Sequence, residues 1–527
     1  MQIGGKSLPA NFLASPTVQM LVNVSCMAVL SKTDYLIFRE CRKNAWMKIH
    51  LPEIYRQSEL SAFDRAIIET GNEVELIARQ LFPGGVLIEG RDRHAQAVTL
   101  GHIERKTPVL FQPVFEKDGV LAALDVLKLD AGANGYLLYE VKATNSLNED
   151  THLSDLAFQW VLLKKLGIPV RRVHLIHLNA EYVRVGALDL AGLFEIEDVT
   201  EAVQAILAET EAEMAAAQEY ISQEIEPPGH CDCIYKGRSR HCSTFHHSNP
   251  DVPEYGVHDI ARIGSSKAKL TGLVDRGIFQ LENLPGDLEL TAIQQNQVDA
   301  YLHDRILIRH AEIAKELQKL AFPLYFLDYE TCPAAIPRFD GYSPYQQIPF
   351  QYSLHVLDRP DGEPRHEEFL STTPGDPSSA MCASLQRHIG PVGSIVVWNK
   401  KFECGINKEL AERIPAAKSF LETLNARVYD LMDIFQKQLY VHKDFKGGVS
   451  IKDVLPVLVP NLSYADLAIR EGGTASQSWD KITSPETSQA ERDTTARDLK
   501  LYCERDTFAM VAIWRVLQRL PSNRTCK

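Results

Sequence analysis

The sequence has no run near the roughly 20 consecutive apolar residues that a membrane-crossing helix needs, so no membrane association is expected. It also lacks a clear secretory leader: the mildly apolar stretch 18–30 is interrupted by Asn23 and Ser25 and has a thin basic flank. Cysteine is sparse, 10 in 527 residues, which argues against a disulfide-built secreted scaffold. A cytoplasmic location is the expectation, and there grouped cysteines point to metal rather than to disulfides. Positive charge is not in excess either. With 56 Lys and Arg against 69 Asp and Glu, the formal net charge is −13. The surface as a whole therefore repels nucleic acid, and binding one needs a local basic track. Internal repeats and long low-complexity tracts are also missing.

What remains is an ordinary globular composition, 45% hydrophobic and 24% charged, in a chain too long for one core. Residues 1–26 carry little pattern and are expected to be disordered or to precede the true start. Residues 27–250 read as one α/β unit. Ser31 is placed to cap a short helix, and a second helix is expected from Ser61 to Leu81. Strands are expected at 108–116, 120–128, 135–143 and 172–178, with helices at 153–166 and 198–223. Residues 251–320 read as a helical connector. Within it the Lys269–Gly272 and Asp275–Ile278 stretches resemble a hairpin nucleic-acid module, the alternative being a plain helical bundle. A second α/β unit spans 321–527, with buried strands at 324–327 and 395–398 and a final helix over 492–518. The Ser/Thr-rich segment 472–492 reads as a mobile loop.

Two sets of acids have the spacing of metal-dependent phosphodiester chemistry. The first is Asp125 with Glu140-Val141-Lys142. Side chains alternate along a strand, so Glu140 and Lys142 share one face while Val141 faces the core. A hairpin brings Asp125 beside them. Two carboxylates there suit Mg²⁺ or Mn²⁺, with Lys142 orienting a water or steadying the leaving charge. The same spacing on an exposed hairpin would be a plain ion pair. The second set is Asp328-Tyr329-Glu330, with Asn399 and Glu403 after another strand, and Tyr502 and Asp506 one helical turn apart on the last helix. Four acids from three elements suit a pair of cations roughly 4 Å apart, with Tyr502 orienting the nucleophilic water.

A third cluster is cysteine-based. Cys231, Cys233 and Cys242 fall in a Pro/Gly/His-rich loop, and Cys41 lies far upstream. Four thiolates suit either Zn²⁺ or a [4Fe–4S] cluster, and His241, His246 and His247 nearby keep zinc open. Lys32, Arg39, Arg42, Lys43, Lys236, Arg238 and Arg240 flank these cysteines. They are candidates for the basic track, the alternative being a solvated surface.

The Asp125/Glu140/Lys142 pattern resembles the PD-(D/E)XK nuclease core, in the RecB-like branch that includes iron–sulfur nucleases. That resemblance implies a further metal ligand four residues after a helical Gly, which here is Glu75 after Gly71. It implies a substrate-orienting Gln-x3-Tyr on the next helix. Gln159 matches, but Leu163 stands where the Tyr is expected. It also implies a [4Fe–4S] cluster held by Cys41, Cys231, Cys233 and Cys242, with Zn²⁺ as the alternative. The second set resembles the Tyr-containing DEDD exonucleases of the RNase H-like fold, with Glu403 in place of the middle Asp and Asp430 matching a later strand acid; Asp433 is a further candidate. Taken whole, after residue 27 the chain resembles an uncharacterised prokaryotic family that joins a RecB-like domain to a C-terminal domain of unknown function. Pro344–Ser353 and Tyr502–Thr507 carry that likeness. The function implied is a metal-dependent nuclease, an exonuclease on DNA ends or single strands in repair or defence. A nucleic-acid-binding or scaffold protein with inactive sites, or an RNA-processing exonuclease, are the alternatives.

Overall fold

The computed structural model describes residues 28–56, 62–132 and 134–520. The expectations for residues 1–26 and for a helix start at Ser61 lie outside these residues. The protein is a mixed α/β structure with several sheets and many helices.

The first sheet has six strands whose spatial order follows the chain: Val86–Leu87, Val109–Phe111, Val126–Asp130, Gly135–Val141, Val170–Leu178 and Phe194–Asp198. Val126–Asp130 and Gly135–Val141 form an antiparallel hairpin, and Gly135–Val141 then runs parallel to Val170–Leu178. The crossover between those parallel strands is the helix Glu149–Lys165, capped by the Asn148 side chain, which accepts from the Thr151 N–H. Alternation along Gly135–Val141 splits its side chains between two cores. Tyr136 and Leu138 pack with Leu156, Val161 and Leu163, while Tyr139 and Val141 pack with Val74 and Phe82.

The expected strands 108–116 and 120–128 are each broken in two. Gln112 takes a left-handed φ of 51° and is followed by Pro113, which has no N–H for a ladder. The outer halves stay in the six-stranded sheet. The inner halves, Val114–Lys117 and Val120–Ala123, form a separate three-stranded sheet with Leu30–Ser31. Asp125 is therefore not mid-strand but at the corner where the chain passes from one sheet to the other.

The second unit holds a five-stranded sheet in the spatial order Arg365–Leu370, Gln347–Leu357, Leu324–Pro333, Ser394–Val397, Val428–Asp430. Among the first three each neighbouring pair is antiparallel, and the last two run parallel to Leu324–Pro333. Both faces of Leu324–Pro333 are covered: Leu324 and Phe326 face one core, Tyr325, Leu327 and Tyr329 the other. The terminal helix Gln489–Gln518 closes the first of these with Met510 and Trp514.

Residues 472–492 are not a loop. Gly472–Thr483 is a helix, because Ala475, Trp479 and Ile482 fall at i, i+4 and i+7 and bury one face. Trp479 stacks on Phe350 with centroids 4.9 Å apart, and its indole N–H donates to the Ser371 carbonyl at 2.9 Å. In the connector, Lys269–Gly272 lie within the helix Lys267–Val274. Connector residues Val252 to Leu281, with Val298, share one apolar core with Cys41, Cys231 and Cys233. Leu307–Ile308 pairs with Tyr440–Val441 and ties the connector to the second unit. The two α/β units also touch directly. The Arg184 guanidinium donates to the carbonyls of Pro337 and Arg338 at 2.8 and 2.9 Å, and Ala335 and Ile336 join the core around Val74.

Candidate metal centres

At the first carboxylate set the corner and the hairpin bring Asp125 and Glu140 together. Asp125 Oδ2 accepts the Val141 N–H at 2.8 Å. Glu75, from the helix Ala62–Ala78, reaches the same place. Its Oε1 accepts from Gln112 at 2.6 Å, and Gln112 also donates to Asp125 at 3.2 Å. Arg79 holds the same Glu75 oxygen at 2.7 Å.

Two residues that sequence reasoning missed complete this site. Asp155 sits one helical turn before Gln159 and is almost wholly buried. Lys32 arrives from the far N-terminal side, 2.8 Å from Glu140 Oε1 and 3.2 Å from Asp155. Lys142 bonds the same Glu140 oxygen at 2.8 Å and also reaches Asp155. Gln159 donates to Glu140 Oε2 at 2.7 Å and to Asp155 at 2.9 Å, fully buried, so it orients the carboxylates. Leu163, at the expected Tyr position, lies in the core. Burial pushes the Glu140 and Asp125 carboxyls up. Burial acts the same way on Asp155, but Lys32 and Lys142 outweigh it and hold that carboxyl well below its usual range. An Asp-x3-Gln spacing on the helix was the available signal for Asp155; Lys32 had none.

The four thiols Cys41, Cys231, Cys233 and Cys242 converge, with all sulfurs within 4.8 Å of one another. Cys41 joins the helices Lys32–Glu40 and Arg42–His50, and Cys231 opens the turn Asp232–Tyr235. Arg42 locks the two ends with a bidentate grip on Asp232, 2.6 Å at its shortest. The Asn249 side-chain amide donates to Cys231 Sγ at 3.2 Å. None of the nearby histidines joins the group. His241 stacks on Phe245 and bonds the Lys236 carbonyl, and His247 pairs with Glu226. The donor set is all sulfur.

Six of the seven cations flanking these cysteines, all but the exposed Arg240, are engaged within the protein. Lys32 belongs to the first acid site. Arg39 pairs with Asp150 and Glu213, Arg42 with Asp232, Lys43 with Glu226 and Arg238 with Asp259, while Lys236 donates to the Glu40 carbonyl. These cations staple the fold instead of facing a ligand.

In the second set, Asp328 and Glu330 stand on the central strand Leu324–Pro333, Glu403 on the first turn of the helix Lys400–Arg413, and Asp506 on the terminal helix. Asp328, Glu330 and Cys503 offer ligand atoms within 4.8 Å of one another. Asp506 accepts a short hydrogen bond from the Tyr464 hydroxyl. Tyr502 is buried one turn before it, with its ring 6.3 Å from that of Tyr464. Lys452 lies 5.7 Å from both ring centres. Tyr464, Lys452 and Cys503 were not expected; nothing periodic in the sequence marks them.

This centre is short of positive charge. Burial first, then Asp506, Glu330 and Glu403, push Asp328 well above the carboxylate range. Glu330 rises likewise by burial, then by Asp506, with Lys452 opposing. Burial lifts Asp506 to about 6 and Glu403 to about 8. Glu403 is 2% exposed and its Oε2 finds no hydrogen-bond partner among the described residues, a costly arrangement for a carboxylate without a cation. Asp430 is engaged elsewhere: its two oxygens accept the backbone N–H groups of Lys400 and Met432. Asp433 pairs with Lys437 at 2.7 Å.

The chain is thus a mixed α/β protein with two buried acid clusters and a four-thiol cluster. A domain of unknown function (DUF2779) matches residues 325–450, which include Asp328, Glu330, Glu403 and Asp430. An uncharacterised protein of Ureaplasma parvum is 27% identical over 268 residues, covering 46% of this chain and 38% of its own length. An uncharacterised protein of Mycoplasma pneumoniae is 29% identical over 214 residues, 37% of this chain and 32% of its own. A third, from Mycoplasma genitalium, is 26% identical over 220 residues, 38% and 33%. The chain spans between 32% and 38% of the length of these relatives. These matches support an uncharacterised bacterial family.

Proposed function

We propose that the chain is a divalent-metal-dependent nuclease whose working centre is the second acid set. The observation that carries this reading is the buried convergence of Asp328, Glu330, Glu403 and Asp506 with one lysine nearby and an unpartnered Glu403 oxygen. Mg²⁺ or Mn²⁺ would offset that charge and supply Lewis-acid activation of water and phosphate. The chain's own residues would do the rest. Asp328, Glu330, Glu403 and Asp506 would hold the cations, Tyr464 fixes Asp506, and Tyr502 would orient the attacking water. The strand order, three antiparallel strands followed by two parallel to the first, supports an RNase H-like reading of this unit and the resemblance to DEDD exonucleases.

The first unit carries the PD-(D/E)XK-like set, but most of its negative charge is already met by Lys32, Lys142 and Arg79. Lys32 and Lys142 fill one oxygen of Glu140 and Gln159 the other. That closure favours a supporting role for the first set and cleavage at the second. For the four-thiol cluster, an edge of about 3.8 Å follows from a tetrahedral ion with sulfur at ~2.3 Å, and the Cys231–Cys242 sulfurs stand 3.9 Å apart. The spacing supports the zinc alternative over the larger [4Fe–4S] cube. In either form the metal would act as a structural staple.

The test is cleavage of end-labelled DNA and RNA with Mn²⁺, comparing wild type, Asp328→Ala, Glu140→Ala and the double variant. Loss with Asp328→Ala and retention with Glu140→Ala is expected. Retention in Asp328→Ala would overturn the assignment of the working centre, and inert wild type on every substrate would overturn the nuclease reading.

A further inference from the structure

The charge balance poses a problem for a nuclease. The chain carries −13, and the cations flanking the cysteines, all but Arg240, are spent on internal bonds. Phosphate-backbone binding nevertheless needs several unpaired cations lining one surface.

Such cations occur at the junction between the connector and the second unit. An open cleft of about 1210 Å³ lies there. One wall carries Arg240, Arg262 and Lys267, and the other is the segment Lys446-Gly447-Gly448. All four cations are exposed, and among the described residues no carboxylate stands within ion-pair distance of any of them. The acids on the lining are turned to other uses. Asp259 is gripped by Arg238 through two 2.7 Å bonds. Asp453 caps its own helix by accepting from the Ser450 N–H and hydroxyl at 3.1 and 2.7 Å.

The two walls are held in register by one buried side chain. Gln297 accepts the Ala261 N–H at 2.8 Å and donates to the carbonyls of Asp259 at 2.8 Å and Lys446 at 3.3 Å. Gly447 sits at a left-handed φ of 79°, where any other residue is strained, and a Cβ there would stand 2.5 Å from the Gln297 amide nitrogen. The cleft is therefore a built feature of the junction. It also leads somewhere. From Lys446 the chain enters the helix Ile451–Leu458, whose first turn presents Lys452 to Tyr464 and Tyr502 in the second acid centre. One wall of the cleft and the edge of that centre are thus neighbouring parts of one segment.

We infer that this cleft binds the phosphodiester backbone of a single nucleic-acid strand and feeds it toward Asp328 and Asp506, an inference that rests on the nuclease reading. A small metabolite is disfavoured by size, since such sites are typically ~300–1,000 Å³. A strand of phosphates matches several separate cations lining one open cleft, each compensating one charge.

The test uses the full chain with no Mg²⁺ or Mn²⁺ added, so that cleavage plays no part and the thiol cluster is left intact. Fluorescence anisotropy follows binding of labelled oligothymidylate and oligouridylate against salt. Four phosphate contacts on a single strand give a log–log slope of about −2.8, so a fourfold rise in salt weakens binding about 50-fold. The variant R240E/R262E/K267E/K446E should lose that salt-sensitive binding, and R240A alone should reduce the slope by about 0.7. The charge-keeping R240K should leave the slope unchanged, which separates lost charge from damaged folding. The two arms assign the sugar. Wild-type affinity and slope in the quadruple variant would overturn the cleft while leaving the nuclease reading intact, and so would equal competition by polyglutamate. Failure of wild type both to bind and to cleave either strand would overturn the nuclease reading itself.

Discussion

Replacing Glu403 by Gln should make the metal-free protein more stable while abolishing cleavage. The carboxyl titrates at 4.5 when exposed and at about 8 in the folded chain, chiefly because it is buried. A raised folded pKa means the folded state holds its proton where the unfolded state has released it. Stability from this group is therefore highest at low pH and falls as pH climbs from 4.5 to about 8. At pH 7 the cost is about 3 kcal/mol, and for a unit of this size that moves Tm by roughly 6–12 °C. Gln keeps the shape and removes the ionisation. The assay is thermal unfolding in chelator across that pH range, wild type against Glu403→Gln. The gain should vanish near pH 4.5 and grow to a plateau near 8. Mn²⁺ should stabilise wild type more than the variant, because only wild type keeps the full ligand set. A variant that melts with or below wild type at neutral pH in chelator would refute the reasoning, since it would mean the buried carboxylate is already compensated within the protein.

Three further outcomes follow from the same geometry. Lys142→Met leaves Glu140 and Asp155 sharing one lysine and should destabilise the first unit by about 3–5 kcal/mol, read by denaturant unfolding. Trp479→Ala removes a fully buried indole stacked on Phe350 and should cost about 3–5 kcal/mol in the second unit, with proteolysis appearing in the helix Gly472–Thr483. A strong zinc chelator should release one ion per chain, measured by elemental analysis, and lower the first melting transition, whereas a visible absorption band with stoichiometric iron would reverse the zinc reading.

The sequence made the individual acids and thiols legible because each belongs to a short local pattern. Glu140-x-Lys142, Asp328-x-Glu330 and Tyr502-x3-Asp506 share faces by the geometry of one strand or one helix turn. Their partners were less visible. Lys32 meets Glu140 across 108 positions, and Tyr464 meets Asp506 across 42. Contacts that distant leave no periodicity to read. The helix at 472–483 was hidden differently: its Ser and Thr content argues for a loop, yet three apolar residues at helical spacing and a tryptophan socket outweigh that propensity. The basic cleft was invisible for a third reason. Arg240, Arg262 and Lys446 come from separate segments, and each alone looks like ordinary surface charge.

The position of the thiols has a topological consequence. Cys41 lies near the start of the described chain, and its three partners lie beyond the six-stranded sheet. A metal shared among them would close the intervening chain into a ring. A protease cut anywhere on that ring would leave both new ends tethered to the same particle, so nicked protein would keep its mass in solution and separate only once metal is removed and the fold undone.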